Sequence, residues 1–335
     1  MKIAVDAFGG DNAPKAVVEG CVAALKAYSD ITIALCGDEE SIKNELSAYD
    51  YDSSRVEIHH APEVIGCDEQ PTFAIRRKKN SSLVKAMELV RDKEAECVLS
   101  AGSTGAVLAG ATFIVRRIEG VKRPALGVVF PAEKGCVLIM DCGANVDCKP
   151  SYLMQFAVMA SAYMKDVMGV ENPRIGLLNN GAEAEKGNEL TKAAYKLLEN
   201  APVNFVGNCE ARGILSGQFD AIVCDGFAGN IVLKYTEGMA STLMSMLKGE
   251  LMADTRSKIG ALLSKPAFKR FKKIMDYTEY GGAPLLGIDG GVVKAHGSSN
   301  AKAFAAAVGQ ARKFALGGLN GSIRDAIGQL PDIQD

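Results

Sequence analysis

Five short glycine-rich stretches hold most of the side chains able to do chemistry. They are D-A-F-G-G-D-N-A-P (Asp6 to Pro14), S-A-G-S-T-G-A (Ser100 to Ala106), D-C-G-A-N (Asp141 to Asn145), N-N-G-A-E-A-E-K-G-N (Asn179 to Asn188) and D-G-F-A-G-N (Asp225 to Asn230). Each offers a carboxylate, amide or hydroxyl at the end of an apolar run. In open α/β sheets, ligands bind beyond the carboxyl ends of strands. Glycine there lets backbone approach closely, and helix N-termini present N–H groups and a positive dipole end to anions. One such turn reads as an ordinary strand-to-helix connection. Five read as one anion pocket collected from several loops.

Named fingerprints are absent. S-A-G-S-T-G-A lacks the spacing of the dinucleotide motif, and no phosphate-binding P-loop is present. No G-x-S-x-G elbow occurs, so an activated serine is not expected. The expected ligand is an anion smaller than a dinucleotide. Three histidines and nine scattered cysteines without C-x-x-C argue against a zinc site or a disulfide framework, so neither metal nor cofactor is expected. A net charge of −2 and no tryptophan argue against nucleic acid. Reduced thiols, a first strand starting at Lys2 and no run of 18 apolar residues fit a cytoplasmic protein.

The elements that must position these turns alternate. K-I-A-V-D, I-T-I-A-L-C-G-D, V-E-I-H-H-A and E-C-V-L-S-A-G read as strands. The 3.6-residue patterns between them read as helices, giving parallel βαβ units. A-L-G-V-V-F-P and G-C-V-L-I-M-D-C, joined by A-E-K-G, predict a hairpin and therefore a mixed sheet. A helix over about Tyr152 to Val167 is apolar nearly all round, so it belongs in a core or a subunit interface. Alternation resumes through R-I-G-L-L-N and D-A-I-V-C-D. No strand pattern follows between Glu237 and Tyr277, where two helical patterns meet near S-K-I-G-A-L-L-S-K-P. The expectation is one α/β domain over residues 1–330, a layered mixed sheet with flanking helices and an inserted helical hairpin at about 237–277.

The motifs together resemble the bacterial phosphate acyltransferase family of phospholipid synthesis (PlsX). The matching segments are V-D-A-F-G-G-D-N-A-P, A-I-R-R-K-K-N-S-S, S-A-G-S-T-G-A, D-C-G-A-N, E-K-G-N, F-V-G-N-C-E, C-D-G-F-A-G-N-I-V-L-K, Y-G-G-A-P-L-L-G and A-H-G-S-S. They span about residue 3 to 300. The resemblance implies a fold related to isocitrate and isopropylmalate dehydrogenases and to phosphotransacetylases. It implies attack of inorganic phosphate on the thioester of acyl-acyl carrier protein, giving acyl phosphate. It also implies a homodimer and peripheral membrane association. The chain departs from the family at Phe8, Ser103 and the N-N-G-A-E segment.

Within that reaction, Lys186 of E-K-G-N is the expected phosphate-binding cation. Asn230 is expected to donate to phosphate or to the developing oxyanion, and it also suits a helix cap. Asp225 is expected to orient Lys186 or to hydrogen-bond its turn. His296 is expected to protonate the leaving thiolate, or to be structural. Asp6, Gly9, Gly10, Asp11 and Asn12 form a first substrate loop, although Asp11 also suits a cap before Pro14. Ser103, Thr104 and Gly105 suit phosphate oxygens. Asn145, Gly226 and Gly229 complete the expected substrate contacts.

Two basic segments suggest partners. Arg76, Arg77, Lys78 and Lys79 suit acidic acyl carrier protein. Between Arg256 and Lys273 seven basic residues and no acidic one are interspersed with Ile259, Leu262, Leu263, Phe268 and Phe271. That hairpin suits an anionic membrane surface, or packing on its own core or dimer partner. Three other readings stay open: a coenzyme A phosphotransacetylase, a metal-dependent dehydrogenase of the isopropylmalate type, and a non-catalytic membrane scaffold.

Overall fold

The computed structural model describes residues 1–274 and 281–331. Strand β1 (Lys2–Asp6) is apolar on both faces: Ile3 and Val5 enter one core and Ala4 another. A strand of that kind needs helices on both sides. Helix α1 (Lys15–Ala27) covers the first face. It leads through β2 (Thr32–Gly37), α2 (Glu39–Leu46) and β3 (Val56–His60) to α3 (Pro71–Arg77) and α4 (Ser82–Arg91), which supplies the second face. Then come β4 (Cys97–Ser100) and α5 (Thr104–Gly110). The four strands are parallel in the order β3-β2-β1-β4, the βαβ arrangement the alternation predicts.

Strands β5 (Ala125–Pro131) and β6 (Cys136–Met140) form the expected antiparallel hairpin. Its turn closes through the Gly135 carbonyl and needs the positive φ of +72° that glycine tolerates. Helix α6 (Pro150–Asp166) is buried in the core of the second half, not at a surface. Strand β7 (Arg174–Asn179), α7 (Glu189–Leu198), β8 (Asn204–Glu210) and β9 (Ala221–Val223) add three strands parallel to β6.

Helix α8 (Gly226–Leu251) starts at the glycine-rich turn itself and runs 26 residues before α9 (Thr255–Ile274). Their junction, at residues 252–254, is earlier than the sequence pattern suggests. The cause is Asp254, which accepts a 2.8 Å bond from the Ser257 amide and caps α9. Pro266 then lies inside α9. The last part of the expected hairpin, 275–277, lies outside the described residues.

The chain closes with β10 (Ala283–Leu286), β11 (Gly291–Lys294), α10 (Ala301–Leu316) and α11 (Leu319–Gly328). Periodicity does not reveal the two strands, but they join the halves. Among the described residues the strands form one 11-stranded sheet, β3-β2-β1-β4-β11-β10-β5-β6-β9-β7-β8. Strand β11 is parallel to β4, and β10 is antiparallel to both β11 and β5. Strands β1 to β4, β5 and β11 therefore run one way; β6 to β10 run the other. Chemistry-bearing turns on the two halves consequently leave strands of opposite direction.

Candidate active site

Where β10 passes from β11 to β5, a cavity of about 380 Å³ opens, a size suited to a small-molecule ligand. Its lining includes apolar Leu126, Val128, Leu233 and Ala307. The polar lining includes Thr104, Asn230, Lys234, Glu237, Lys294 and His296. Turns from both halves therefore meet here. A strand-direction switch is the place where α/β sheets commonly leave room for ligand.

The first loop braces one wall. The Asp11 amide donates to the Gly297 carbonyl at 2.8 Å, and Asn12 Nδ2 donates to the Ser298 and Ser299 carbonyls at 3.2 Å. Asp11 does not cap α1, whose N-cap position is Pro14 with no side-chain bond. Gly10 sits at φ +99°, where a Cβ would fall 2.9 Å from the Gly297 carbonyl oxygen. A Cβ at Gly9 would fall 2.5 Å from Asp6 Oδ2. These residues fix the segment carrying His296.

Beneath that wall lies a buried charged group. Asp6 is 2% exposed and accepts from Ser100 Oγ at 2.6 Å. The Gly102 amide donates back to Ser100 Oγ at 3.0 Å. Asp6 Oδ1 is buried without a hydrogen bond of normal geometry. Burial pushes its carboxyl above the usual carboxylate range; the Ser100 hydroxyl, then the Ser82 hydroxyl and the Phe8 amide, and least of all Lys294, pull it back. Lys294 is 8% exposed and ends β11, facing the cavity. Its ammonium donates to the Ala101 carbonyl at 3.4 Å and to the Ala295 carbonyl. Burial lowers its pKa to about 8.

The opposite wall is built around Asp141. Its carboxylate accepts from the amides of Leu126, Ala144 and Asn145 and from Asn145 Nδ2, at 2.6 to 3.0 Å. Burial raises its pKa, and these bonds oppose the rise. Asn145 also donates to the Pro124 carbonyl at 2.8 Å. It is committed to this network and is not in the cavity lining. The turn brings Gly143 beside Asn230, which lines the cavity from the first turns of α8.

The glycines of α8 approach protein rather than open space. A Cβ at Gly226 would fall 2.6 Å from the Asn145 carbonyl oxygen, and one at Gly229 only 1.9 Å from that of Asp141. The amides of Gly226, Ala228 and Gly229 are bonded within the protein, to Asn145 O, Asp225 Oδ1 and Asp225 O. Asp225 is thus the N-cap of α8, at 2.7 Å from the Ala228 amide.

Lys186 stands elsewhere. It lies exposed in the β7–α7 loop and is not in the cavity lining. That loop is held by Asn179 Nδ2 on the Lys186 carbonyl and Asn208 Nδ2 on the Glu183 carbonyl. No contact joins Asp225 to Lys186 among the described residues. Ser103 occupies the N-cap position of α5 without capping it, and Gly105 packs against Pro71.

His296 Nδ1 accepts from the Ser298 amide at 3.2 Å and lies 2.8 Å from Ser298 Oγ. Because a backbone N–H can only donate, the neutral ring carries its proton on Nε2.

Sequence reasoning missed Lys294, Lys234 and Glu237 as lining residues. Lys234 and Glu237 pair at 3.1 Å, one turn beyond Asn230. Lys294 had a readable signal: a lysine ending an otherwise apolar strand, two residues before His296.

A family model described as fatty acid synthesis protein matches residues 1–320. A phosphate acyltransferase from Clostridium botulinum (strain Loch Maree / Type A3) is 57% identical over 312 residues, covering 93% of each chain. One from Clostridium perfringens (strain SM101 / Type A) is 54% identical over 328 residues, covering 98% of this chain and 97% of that one. Among solved structures, a phosphotransacetylase from Streptococcus pyogenes superposes with a TM-score of 0.62 at 17% identity, covering 94% of both chains. A 4-hydroxythreonine-4-phosphate dehydrogenase from Klebsiella pneumoniae reaches 0.53 at 13% identity, covering 94% of this chain and 99% of that one. At such identities these two describe the fold alone, a mixed-sheet α/β architecture shared by phosphotransacylases and dehydrogenases. With a family model over nearly its whole length and relatives above half identity, the chain belongs to the phosphate acyltransferase family and is an acyltransferase.

Proposed function

We propose that this enzyme transfers a fatty acyl group from acyl carrier protein to inorganic phosphate, giving acyl phosphate for phospholipid synthesis. The observation that carries the reading is the cavity at the strand-direction switch. Apolar wall residues and a set of donors, Asn230, Lys294 and His296, line one small space. A phosphate oxygen attacks the thioester carbonyl, the new C–O bond forms, and the C–S bond breaks with its electron pair leaving on sulfur. Phosphate is already nucleophilic near neutral pH, so placement beside the thioester is the main requirement. Asn230 donates to phosphate or oxyanion, Thr104 contacts phosphate, and His296 Nε2–H donates a hydrogen bond to the sulfur, which leaves as thiolate and takes its proton from solvent. Asp6, Gly9, Gly10, Asp11 and Asn12 hold the His296 wall in place. Lys186 takes part only from the neighbouring loop.

The hairpin supports two further parts of the reading. Along α8, Phe227, Ile231, Tyr235, Met239 and Leu243 recur every fourth residue and are all exposed. Such a row suits pairing with a second copy of the chain. On α9, Ile259, Leu262 and Leu263 are 57%, 69% and 78% exposed beside Arg256, Lys258 and Lys265. This segment suits peripheral contact with an anionic membrane. No helix among the described residues is long and apolar enough to cross one.

The test is incubation with acyl-acyl carrier protein and radiolabelled phosphate, with acyl-coenzyme A in a parallel arm. Labelled acyl phosphate from the carrier-bound donor is the expected result. Product from coenzyme A thioester alone would replace this reading with that of a phosphotransacetylase. Absence of product from both donors would leave the scaffold.

A further inference from the structure

We infer that Lys294, not Lys186, is the cation that binds the attacking phosphate. The inference rests on the acyl-transfer reading above and assigns its charge chemistry to one atom, Lys294 Nζ.

Three observations carry it. Lys294 lines the cavity, whereas Lys186 is exposed on a loop outside it. An ammonium has three protons, and Nζ meets two carbonyls, those of Ala101 and Ala295. Its third donor has no hydrogen-bond partner among the described residues. The counter-charge is also unusual in its arrangement. Asp6 lies within electrostatic reach of Lys294, yet no hydrogen bond joins them, and Asp6 Oδ1 makes no hydrogen bond of normal geometry. The charge pair therefore leaves Lys294 oriented by carbonyls and free toward the cavity, where a phosphate oxygen completes its coordination. The second lysine of the lining does not serve equally well. Lys234 is 58% exposed and paired with Glu237. A solvated, neutralised ammonium attracts an anion far less than a dry one.

Burial also lowers the Lys294 pKa to about 8, so the group is still mostly charged at neutral pH but titrates just above it. Cys67, Asp6 and Asp11 hold its proton on, Lys234 pushes it off, and His296 follows two residues later. The cavity's phosphate-binding charge therefore disappears as pH rises through about 8.

The experiment compares phosphate KM and acyl-donor KM for wild type, Lys294→Met and Lys186→Ala, with folding checked by thermal melting. Losing one charge-assisted bond to phosphate raises phosphate KM by about 100-fold in Lys294→Met. The donor KM stays within about threefold, because uniform binding of the other substrate is untouched. Lys186→Ala keeps its phosphate KM. A folded Lys294→Met with wild-type phosphate KM overturns the inference. So does a loss confined to kcat or to donor KM.

If Lys294→Met does not fold, wild-type protein still decides. A lysine with a pKa of about 8 is partly neutral and reacts with acetic anhydride at mild pH. Mass spectrometry should show inorganic phosphate slowing acetylation at Lys294 and not at Lys186. Equal labelling of Lys294 with and without phosphate refutes the site. If wild type makes no acyl phosphate while phosphate still protects Lys294, the site stands and the reaction reading falls.

Discussion

Two turns of this chain begin alike and do different work. D-A-F-G-G-D-N and D-C-G-A-N each start with a buried aspartate at a strand end, followed by glycine and an amide. At Asp141 the carboxylate accepts bonds from three backbone amides and one side-chain amide. At Asp6 one oxygen takes the Ser100 hydroxyl, and the other has no hydrogen bond of normal geometry, only the looser pull of the Ser82 hydroxyl and the Phe8 amide. The first is a fastener, and the cavity receives only the glycine and Asn230 that it positions. The second is a charge left incomplete beside Lys294. Counting the partners of each oxygen separates structure from function where the motif does not.

The sharpest way to break this comparison is one substitution made twice. Asp141→Asn replaces Oδ2 with an NH₂ group facing the Asn145 amide, 2.6 Å away, and its side-chain Nδ2, 2.9 Å away. Donors then face donors in a buried site. The expected loss is about 4 kcal/mol, the cost of two or more stranded buried donors. Asp6→Asn keeps an acceptor for Ser100 and removes a buried charge, so stability changes by about 1 kcal/mol or less. Its effect falls on Lys294, which loses a partner that holds its proton. The alkaline limit of activity then moves to lower pH. Urea denaturation and a pH–rate profile on both variants check this. Equal stability losses would erase the distinction.

Gly229→Ala tests the fastener from its other side. The new methyl would stand 1.9 Å from the Asp141 carbonyl oxygen and 2.9 Å from Cys224 Sγ, so α8 must move. Overpacking of this kind costs about 3 kcal/mol. The same change at Gly238 meets nothing within 4 Å on the exposed part of α8 and should stabilise slightly. A mild result at Gly229 would mean that the close packing of α8 on the Asp141 turn is not needed.

Lys294 leaves a signature in stability as well as in rate. Its folded pKa, about 8, is below the ordinary 10.5. Between these values the unfolded chain binds a proton that the folded chain does not. Stability contributed by this group therefore rises with pH across that window, by up to about 1.4 kcal/mol per pH unit. Subtracting the pH–stability curve of Lys294→Met from that of wild type isolates the slope. A flat difference would mean that Lys294 titrates normally and is not dry.

Much of this molecule was legible before its structure. Alternating apolar runs gave β1 to β4 and the β5–β6 hairpin, and an apolar surround gave the burial of α6. The glycine-rich turns marked the strand ends that reach the site. The joining strands were not legible, because A-P-L-L and G-V-V-K are four residues each and carry no period. With them went Lys294, whose burial depends on pairing between β11 and β4 far away in sequence. The E-K-G-N motif points to Lys186 without saying where its loop lies, and that loop is exposed outside the cavity lining. From sequence, Gly226 and Gly229 suggest close approach to a ligand. Their missing Cβ atoms instead admit the protein's own Asp141–Asn145 turn.

The smallest expected effect concerns Asp225, which sequence reasoning placed among the catalytic candidates. Its carboxylate accepts from the Ala228 amide at 2.7 Å and from no group in the cavity lining. Asp225→Ala should therefore behave as loss of a helix N-cap, costing about 1 kcal/mol. Turnover should fall only as far as Asn230, five residues along the same helix, loses its placement. Asp225→Ser restores a capping oxygen without the charge, and so separates the two roles. Recovery of both stability and kcat in Asp225→Ser marks a positioning residue. Recovery of stability with kcat still depressed would return the negative charge of Asp225 to the chemistry.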